Sequence, residues 1–423
     1  MKTKKIVLTT MPTEGEFINW TTPKYFDPAR VNKYMPLGIL SLASNLSKKH
    51  EIVILDPSSE GWNIEETIEK IEKEKPEILG LSVITRRVYA MNKILKKVST
   101  PYKVVGGPHA TYYAKQILQN KADAVFVGPL TDLEFKIAVE ESPKGRINCN
   151  TKINDIKFPN RDFLNIKDYF PKVSLLFKAE NRLPMFSSIG CPNKCTFCNV
   201  QSKKLQLKNS ETVINEMQYL YSIGCKSIHI LDDNFNINSK HIKGILNEME
   251  KRNFHIEWSG RGQIRTDLSL TKRLADSGFK RIHVGFEALD DKILKFFNKP
   301  QGVKHIEEFC KAMNKNNIDM LGYFISGSPV ETEKYRNELP KKIIDLGIKY
   351  PYFNILFPEP NTEYYQSLLR GGHYKKDYWA EYMENPTPYF EIPYPYGETK
   401  KQEIIEYTNK LIKEFENERN RSS

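Results

Sequence analysis

The sequence is poor in cysteine and in long apolar runs, and each shortage excludes a class of protein. Six Cys in 423 residues are too few to staple a secreted scaffold, so a reducing compartment is the default. No apolar run approaches the roughly 18 residues needed to cross a bilayer, and no membrane span is expected. The opening Met1-Lys2-Thr3-Lys4-Lys5, followed by Ile6-Val7-Leu8, lacks the apolar core of a signal peptide. The cytoplasm is therefore the expected location. Gly-x-Gly-x-x-Gly is absent as well, which leaves a dinucleotide site without support.

What is present supports packed cores. The apolar fraction is 39% with 11% aromatics, which rules out a disordered chain. The length favours two or three domains at roughly 150 residues each. Lys and Arg number 64 against 52 Asp and Glu, but the excess is interleaved with acid, as in Glu69-Lys70-Ile71-Glu72-Lys73-Glu74-Lys75. No basic cluster carries the aromatic partners that nucleic acid would need, so no specific nucleic-acid binding is expected.

Periodicity divides the chain. Residues 1–141 alternate apolar runs (Ile6–Thr9, Ile52–Leu55, Ile78–Val83, Val104–Val105, Ala124–Val127) with amphipathic stretches. That is the pattern of an α/β doubly wound parallel sheet. Residues 142–183 lose the rhythm among prolines and read as a linker. From 184 to 373 six further βα units follow, with strands expected at Met185–Ile189, Ser227–Leu231, His255–Ser259, Arg281–Phe286, Met320–Ser326 and Tyr352–Phe357. They predict a partial barrel of parallel strands, with its chemistry at the strands' C-terminal ends. Residues 374–423 read as a short helical cap, its aromatics Tyr378, Trp379 and Tyr382 being candidates for a substrate rim.

Half of the scarce cysteines fall in one segment, Gly190-Cys191-Pro192-Asn193-Lys194-Cys195-Thr196-Phe197-Cys198-Asn199. Three thiolates at spacings of four and three converge on one inorganic centre. A structural zinc wants four protein ligands, and the next cysteine, Cys225, lies beside a strand start. A three-cysteine zinc site and thiols without a metal are the alternatives. A four-iron cluster on three ligands keeps one iron open.

The Cys-x3-Cys-x-Phe-Cys segment resembles the signature of radical S-adenosylmethionine (SAM) enzymes, and the likeness runs through about 185–370. The resemblance implies a 4Fe-4S cluster on Cys191, Cys195 and Cys198, with SAM on the open iron as source of a 5′-deoxyadenosyl radical. It implies SAM contacts by Phe197, by Asp232, Asp233 and Asn234 after the second strand, and by Arg265 at the SAM carboxylate. Glu287 would meet the ribose and Gly327 the adenine. Ala288 departs from the Ser that many relatives have after the Glu.

The Asp232-Asp233-Asn234-Phe235 form is most familiar from radical SAM enzymes with an N-terminal cobalamin domain. Tyr34-Met35-Pro36-Leu37-Gly38 resembles that domain's helix entry, and Gly106-Gly107-Pro108-His109 resembles its nucleotide-side loop. The resemblance implies cobalamin contacts by Tyr34, Pro36, Gly38, Ser82, Gly106, Gly107 and His109. Gly128-Pro129-Leu130-Thr131 departs from the acidic segment usual there. The cobalt-ligating Asp-x-His-x-x-Gly of cobalamin mutases is missing, so the loop Ser82–Arg87 is expected to cover the lower face.

The function that the resemblance implies is a methyltransferase. A methyl from methylcobalamin would reach an unactivated carbon of a small molecule, or of a peptide or protein side chain such as those of methyl-coenzyme M reductase. A low-potential donor, flavodoxin or ferredoxin, would supply electrons. The alternatives are a cobalamin radical enzyme that cyclises or rearranges without methylating, and a non-catalytic cluster-binding sensor.

Overall fold

The computed structural model describes residues 2–20, 35–46, 48–170 and 181–422, with side chains described as far as 416. The chain divides into two units. One comprises Met1–Ile18, Lys33–Phe170 and Lys376–Ile392; the other comprises Asn19–Asn32, Pro171–Lys375 and Pro393–Ser423.

The first unit is built on six parallel strands: β1 (Lys5–Thr9), β2 (Glu51–Leu55), β3 (Ile78–Ser82), β4 (Tyr102–Gly106), β5 (Ala124–Val127) and β6 (Gly145–Asn148). Their order is β2-β1-β3-β4-β5-β6. Helices between consecutive strands, among them Leu37–Leu46, Val88–Lys97 and Pro108–Gln119, make the parallel crossovers. The strands are apolar because helices cover both faces: Ile6, Leu8, Ile78, Val104 and Phe126 pack with Ile39, Ala43, Phe135 and Val139 in one core. Each such side chain contributes on the order of 1.5–3 kcal/mol. The order reverses between β1 and β3, and a doubly wound sheet opens its ligand crevice at that point, beyond the strands' C-terminal ends.

The expected linker is structured over part of its length. Gly145–Asn148 pairs in parallel with β5, and residues as far as Phe170 belong to the first unit. An edge strand buried on one side only carries too few apolar residues to announce itself, and the burial of β6 indeed alternates.

In the second unit β7 (Arg182–Met185), β10 (Ser227–Ile230), β11 (Glu257–Gly262), β12 (Phe279–Glu287), β13 (Asp319–Ser326) and β14 (Tyr350–Ile355) pair in parallel in that sequence. Neighbours in sequence are neighbours in space throughout. Such unidirectional winding with right-handed crossovers keeps the helices on one face and leaves the other to the interior of a partial barrel. Two short strands, β8 (Ser188–Ile189) and β9 (Gln206–Leu207), form a separate antiparallel ribbon. The first barrel strand therefore ends at Met185, ahead of the expected 185–189 run. Ser188 and Ile189 instead clamp the base of the cysteine loop.

The expected C-terminal cap is divided. The helix Glu398–Ser422 packs on the second unit through Phe415, whose ring lies 5.7 Å from that of Phe353. Residues 376–392 belong to the first unit, where Trp379 and Tyr382 pack on Phe17 at 5.0 and 6.4 Å. Trp379 is only 2% exposed, so these aromatics are core and not a rim. Trp379→Ala should lower the unfolding free energy by about 3–5 kcal/mol. Hydrogen exchange should locate the loss in the helix Pro108–Gln119 of the first unit, against which the helix Tyr378–Glu384 packs, and unaltered protection there would refute the assignment of this segment.

Candidate cluster and cofactor sites

The cysteine loop is held by bonds from the C-terminal loops of several strands. Gly190 lies at φ 92°, and a Cβ there would meet the Lys204 carbonyl oxygen at 2.3 Å, so only glycine fits. The Gly190 N–H donates to Asp233 Oδ2 (2.8 Å) and the Cys191 N–H to the Ser202 carbonyl (3.0 Å). Asn193 Nδ2 donates to Gln263 Oε1 (2.9 Å) and Asn298 Nδ2 to the Lys194 carbonyl (2.8 Å). The Thr196 N–H donates to the Phe297 carbonyl (3.0 Å), and the Tyr364 N–H to the Thr196 carbonyl (2.8 Å). Phe197 packs edge-on against Phe297 at 5.3 Å.

These bonds consume backbone and amide groups and leave the thiols. Cys191 and Cys195 are half-buried, Cys198 is exposed, and none is in a disulfide. Burial pushes Cys195 up to about 11, opposed by the nearby Lys299 charge, and raises Cys198 as well. The thiols also raise one another, so three thiolates need a shared cationic centre. Among the described residues no three His, Cys, Asp or Glu side chains are gathered tightly enough for a single metal ion. A backbone N–H from Val200 already reaches Cys198, the kind of donor that tunes cluster sulfurs. The donor set fits a 4Fe-4S cluster.

The residues after β10 part company. Asp232 is fully enclosed and turned away from the loop: its carboxylate accepts from the Ser187 N–H (2.7 Å), Ser187 Oγ (2.6 Å) and Ser188 Oγ (2.6 Å). Burial lifts its pKa to about 6 against these bonds. It braces the strand ends and offers no oxygen to a ligand. Asp233 braces Gly190 as above. Asn234 faces the cysteines, with Nδ2 on Gln263 Oε1 (2.9 Å) and 3.8 Å from Cys191 Sγ. Its Oδ1 is buried without a partner. A buried orphan acceptor beside an open cluster position fits the amino group of SAM.

Around the rim, Arg265 is exposed and donates to the Pro300 carbonyl (3.1 Å). Glu287 pairs with Lys299 at 3.1 Å, both nearly enclosed. Glu287 has φ 65°, at a register shift between β12 and β13. A non-glycine residue in this region costs about 1–3 kcal/mol, and such strain gathers at functional sites. Gly327, at φ 91°, is explained by packing: a Cβ there would stand 3.1 Å from Ile404 Cγ2. Gln263, Arg261 and Lys299 escaped the sequence reading because none lies in a motif.

In the first unit, Ser82, Gly106, Gly107 and His109 come together at the ends of β3 and β4. The Val83 N–H donates to the Gly106 carbonyl and the His109 N–H to the Val83 carbonyl, both at 3.0 Å. Gly107 has φ 93°, and a Cβ would lie 2.8 Å from Val83 N and 3.2 Å from Ser82 Oγ. The His109 ring is enclosed, stacked at 4.8 Å on Tyr113, with Nδ1 3.4 Å from Thr85 Oγ1. Burial pushes its pKa down to about 3, so it ties two loops together as a neutral ring. Pro36 and Gly38 start the helix after β1. A Cβ on Gly38 would meet nothing within 4 Å, and one on Gly106 only Phe126 Cβ at 4.0 Å. Open backbone at Gly38 and Gly106 leaves room for a ligand to approach these loops closely. Tyr34 lies outside the described residues.

Residues 185–343 match the sequence model of the radical SAM superfamily, and residues 29–134 match that of a B12 binding domain. The chain is a radical SAM protein with a B12-binding domain. Its cofactors are accordingly a 4Fe-4S cluster, SAM and cobalamin. An uncharacterized methyltransferase of Pyrococcus horikoshii is 27% identical, over 90% of this chain and 87% of its own length. The bacteriochlorophyllide d C-12(1)-methyltransferase of Chlorobaculum tepidum is 24% identical, over 82% of this chain and 77% of its own. Among solved structures, the radical SAM methyltransferase TsrM of Kitasatospora setae, with cobalamin and a [4Fe-4S] cluster bound, superposes with a TM-score of 0.65. That match covers 88% of this chain and 75% of the other at 15% identity, a likeness of fold. No helix among the described residues is long and apolar enough to cross a membrane.

Two outcomes follow. Anaerobic reconstitution should load about four iron atoms per chain. Cys191→Ala, Cys195→Ala and Cys198→Ala should each lose the cluster absorbance, whereas Cys149→Ala, Cys225→Ala and Cys310→Ala should retain it. Asp232→Asn tests the brace. Because the folded pKa of Asp232 is raised above its unfolded value, its stabilising contribution is complete near pH 4 and lost by about pH 6. Urea unfolding should show D232N gaining on the native protein by at most about 3 kcal/mol over that interval, then levelling off. A constant difference from pH 4 to 7 would contradict the burial argument.

Proposed function

We propose that this protein is a cobalamin-dependent radical SAM methyltransferase that places a methyl group on an unactivated carbon. The observation that carries the reading is one chain holding both sites: a three-thiol loop after the first strand of a radical SAM unit, and the interlocked glycine-bearing loops after β3 and β4 of a B12-binding unit. Its likeness over most of its length to proteins named as methyltransferases supports the same reaction type. When bound, the cluster and SAM supply a 5′-deoxyadenosyl radical, and cobalamin supplies the methyl group.

The chain's own residues hold and aim this chemistry. Cys191, Cys195 and Cys198 hold the cluster, and Phe197, wedged on Phe297, fixes the loop between the second and third thiol. Asn234 Oδ1 accepts from the SAM amino group, and Arg265 offers its fork to the carboxylate. Glu287 accepts from the ribose hydroxyls, its strained backbone pinned by the ion pair with Lys299. Ser82, Gly106 and Gly107 form the cobalamin wall of the first unit, beside Pro36 and Gly38. Tyr34 completes this set from the family pattern. A flavodoxin or ferredoxin supplies low-potential electrons from outside the chain.

The products decide the reaction. Anaerobic turnover with substrate should yield 5′-deoxyadenosine, S-adenosylhomocysteine and a product heavier by one methylene. Deoxyadenosine without S-adenosylhomocysteine would replace methylation by cyclisation or rearrangement. An intact cluster that cleaves no SAM would leave a non-catalytic sensor.

A further inference from the structure

The two faces of the second sheet differ in chemistry. One is apolar and covered by helices: Ile228, Ile230, Trp258, Ile282, Val284 and Phe286 are all 2% exposed or less. The other faces the barrel interior. A barrel packed only for stability fills that interior with Val, Ile and Leu. Here that face carries His229 on β10 in register with Ser259 on β11, Arg261 on β11 in register with His283 on β12, and Tyr323 on β13 in register with Gly285.

These side chains touch in a chain of polar contacts. His229 Nδ1 is 2.8 Å from Ser259 Oγ, and the rings of His229 and His283 are 4.5 Å apart. His283 Nδ1 is 3.4 Å from the Tyr323 hydroxyl. His229 is 1% exposed, yet its Nε2 has no partner. Arg261 pairs in register with His283 and lies two residues beyond Ser259 on the same face. Its Nε is buried without a partner, and among the described residues its guanidinium forms no ion pair.

Cationic side chains surround them. Arg182, Arg261 and Arg281 all act on His283. Of the acids nearby, Asp319 is paired with Arg281 (3.1 Å) and Lys349 (3.0 Å), Asp233 accepts from the Gly190 N–H (2.8 Å) and acts on Arg261 through space without closing an ion pair, and Glu257 is exposed at the opposite end of β11. Arg261 is half-buried, and its planar fork matches the two oxygens of a carboxylate or phosphate. A donor from neutral His229 Nε2 would supply a third bond.

We propose that the barrel interior is an oxyanion-binding subsite in which Arg261, with His229, receives a carboxylate or phosphate group of the substrate. The substrate class is thus an anionic molecule whose charged end anchors inside the barrel below the cluster loop. The assignment of this anion to the substrate rests on the reading of the second unit as an enzyme.

The test is calorimetric titration of the anaerobically reconstituted full chain with inorganic phosphate, with acetate, and with acetamide as the uncharged counterpart of acetate. Saturable binding of phosphate or of acetate is expected, and the tighter of the two names the group. Arg261→Gln should weaken it about ten-fold or more, Arg261→Lys less, and His229→Gln by a smaller factor. SAM affinity, measured by equilibrium dialysis, should be unchanged in R261Q. The proposal is overturned if neither anion binds, if acetamide binds as well as acetate, or if R261Q and R261K both bind as the native chain does. A ten-fold loss of SAM affinity in R261K and R261Q would also overturn it, by assigning Arg261 to the cofactor. Arg261-dependent anion binding in a chain that forms no S-adenosylhomocysteine would uphold the subsite while removing the methyl-transfer reading.

Discussion

A parallel strand delivers its loop to the same edge of the sheet as every other strand, and this chain depends on that constraint twice. In the second unit the loops after β10, β11, β12 and β14 converge on one short segment. They hold it through the Asp233 carboxylate, the Gln263 amide and backbone groups of Phe297 and Tyr364. The thiols are thereby left for the cluster. In the first unit the loops after β3 and β4 lock together through Val83, Gly106 and His109. Two windings of the same βα unit thus give two kinds of site. Reversal of strand order opens a crevice at the sheet edge, whereas unbroken order curls the sheet around an interior.

Division of labour within a single motif is the clearest result at the cluster. Asp232, Asp233 and Asn234 are consecutive, yet one braces Ser187 and Ser188 at the start of β8, one fixes Gly190, and one turns its amide toward Cys191. The backbone reason is that β10 ends at Ile230, after which the chain leaves the strand alternation and successive side chains point in three directions. The strained Glu287 is a similar case. The register shift that re-aims it also places its carboxylate against Lys299, so an ion pair sustains a conformation that the backbone alone disfavours.

The fold was legible wherever periodicity was strong. Strands β1 to β5, the crossover helices and five of the six barrel strands lie within a few residues of the apolar runs that announce them. The misses share one cause, low contrast. β6 is short and half solvated, and β7 contains Arg182 and Pro184, so the run from Met185 to Ile189 looked more strand-like than the true strand. In the tail, Trp379 and Tyr382 showed as aromatic but not as buried, since burial there comes from Phe17, more than 350 residues earlier.

By itself the sequence determined the order of elements, the three-thiol segment and its place in the βα series, because spacing and periodicity are local properties. It also supplied the family pattern that pairs the two units. Only the tertiary structure decided which residue of a motif faces the ligand, which segments join which unit, and that Arg261, His229 and His283 share one surface. These facts depend on register between strands some 20 to 30 residues apart. A shift of one residue would turn each of these side chains to the other face of the sheet.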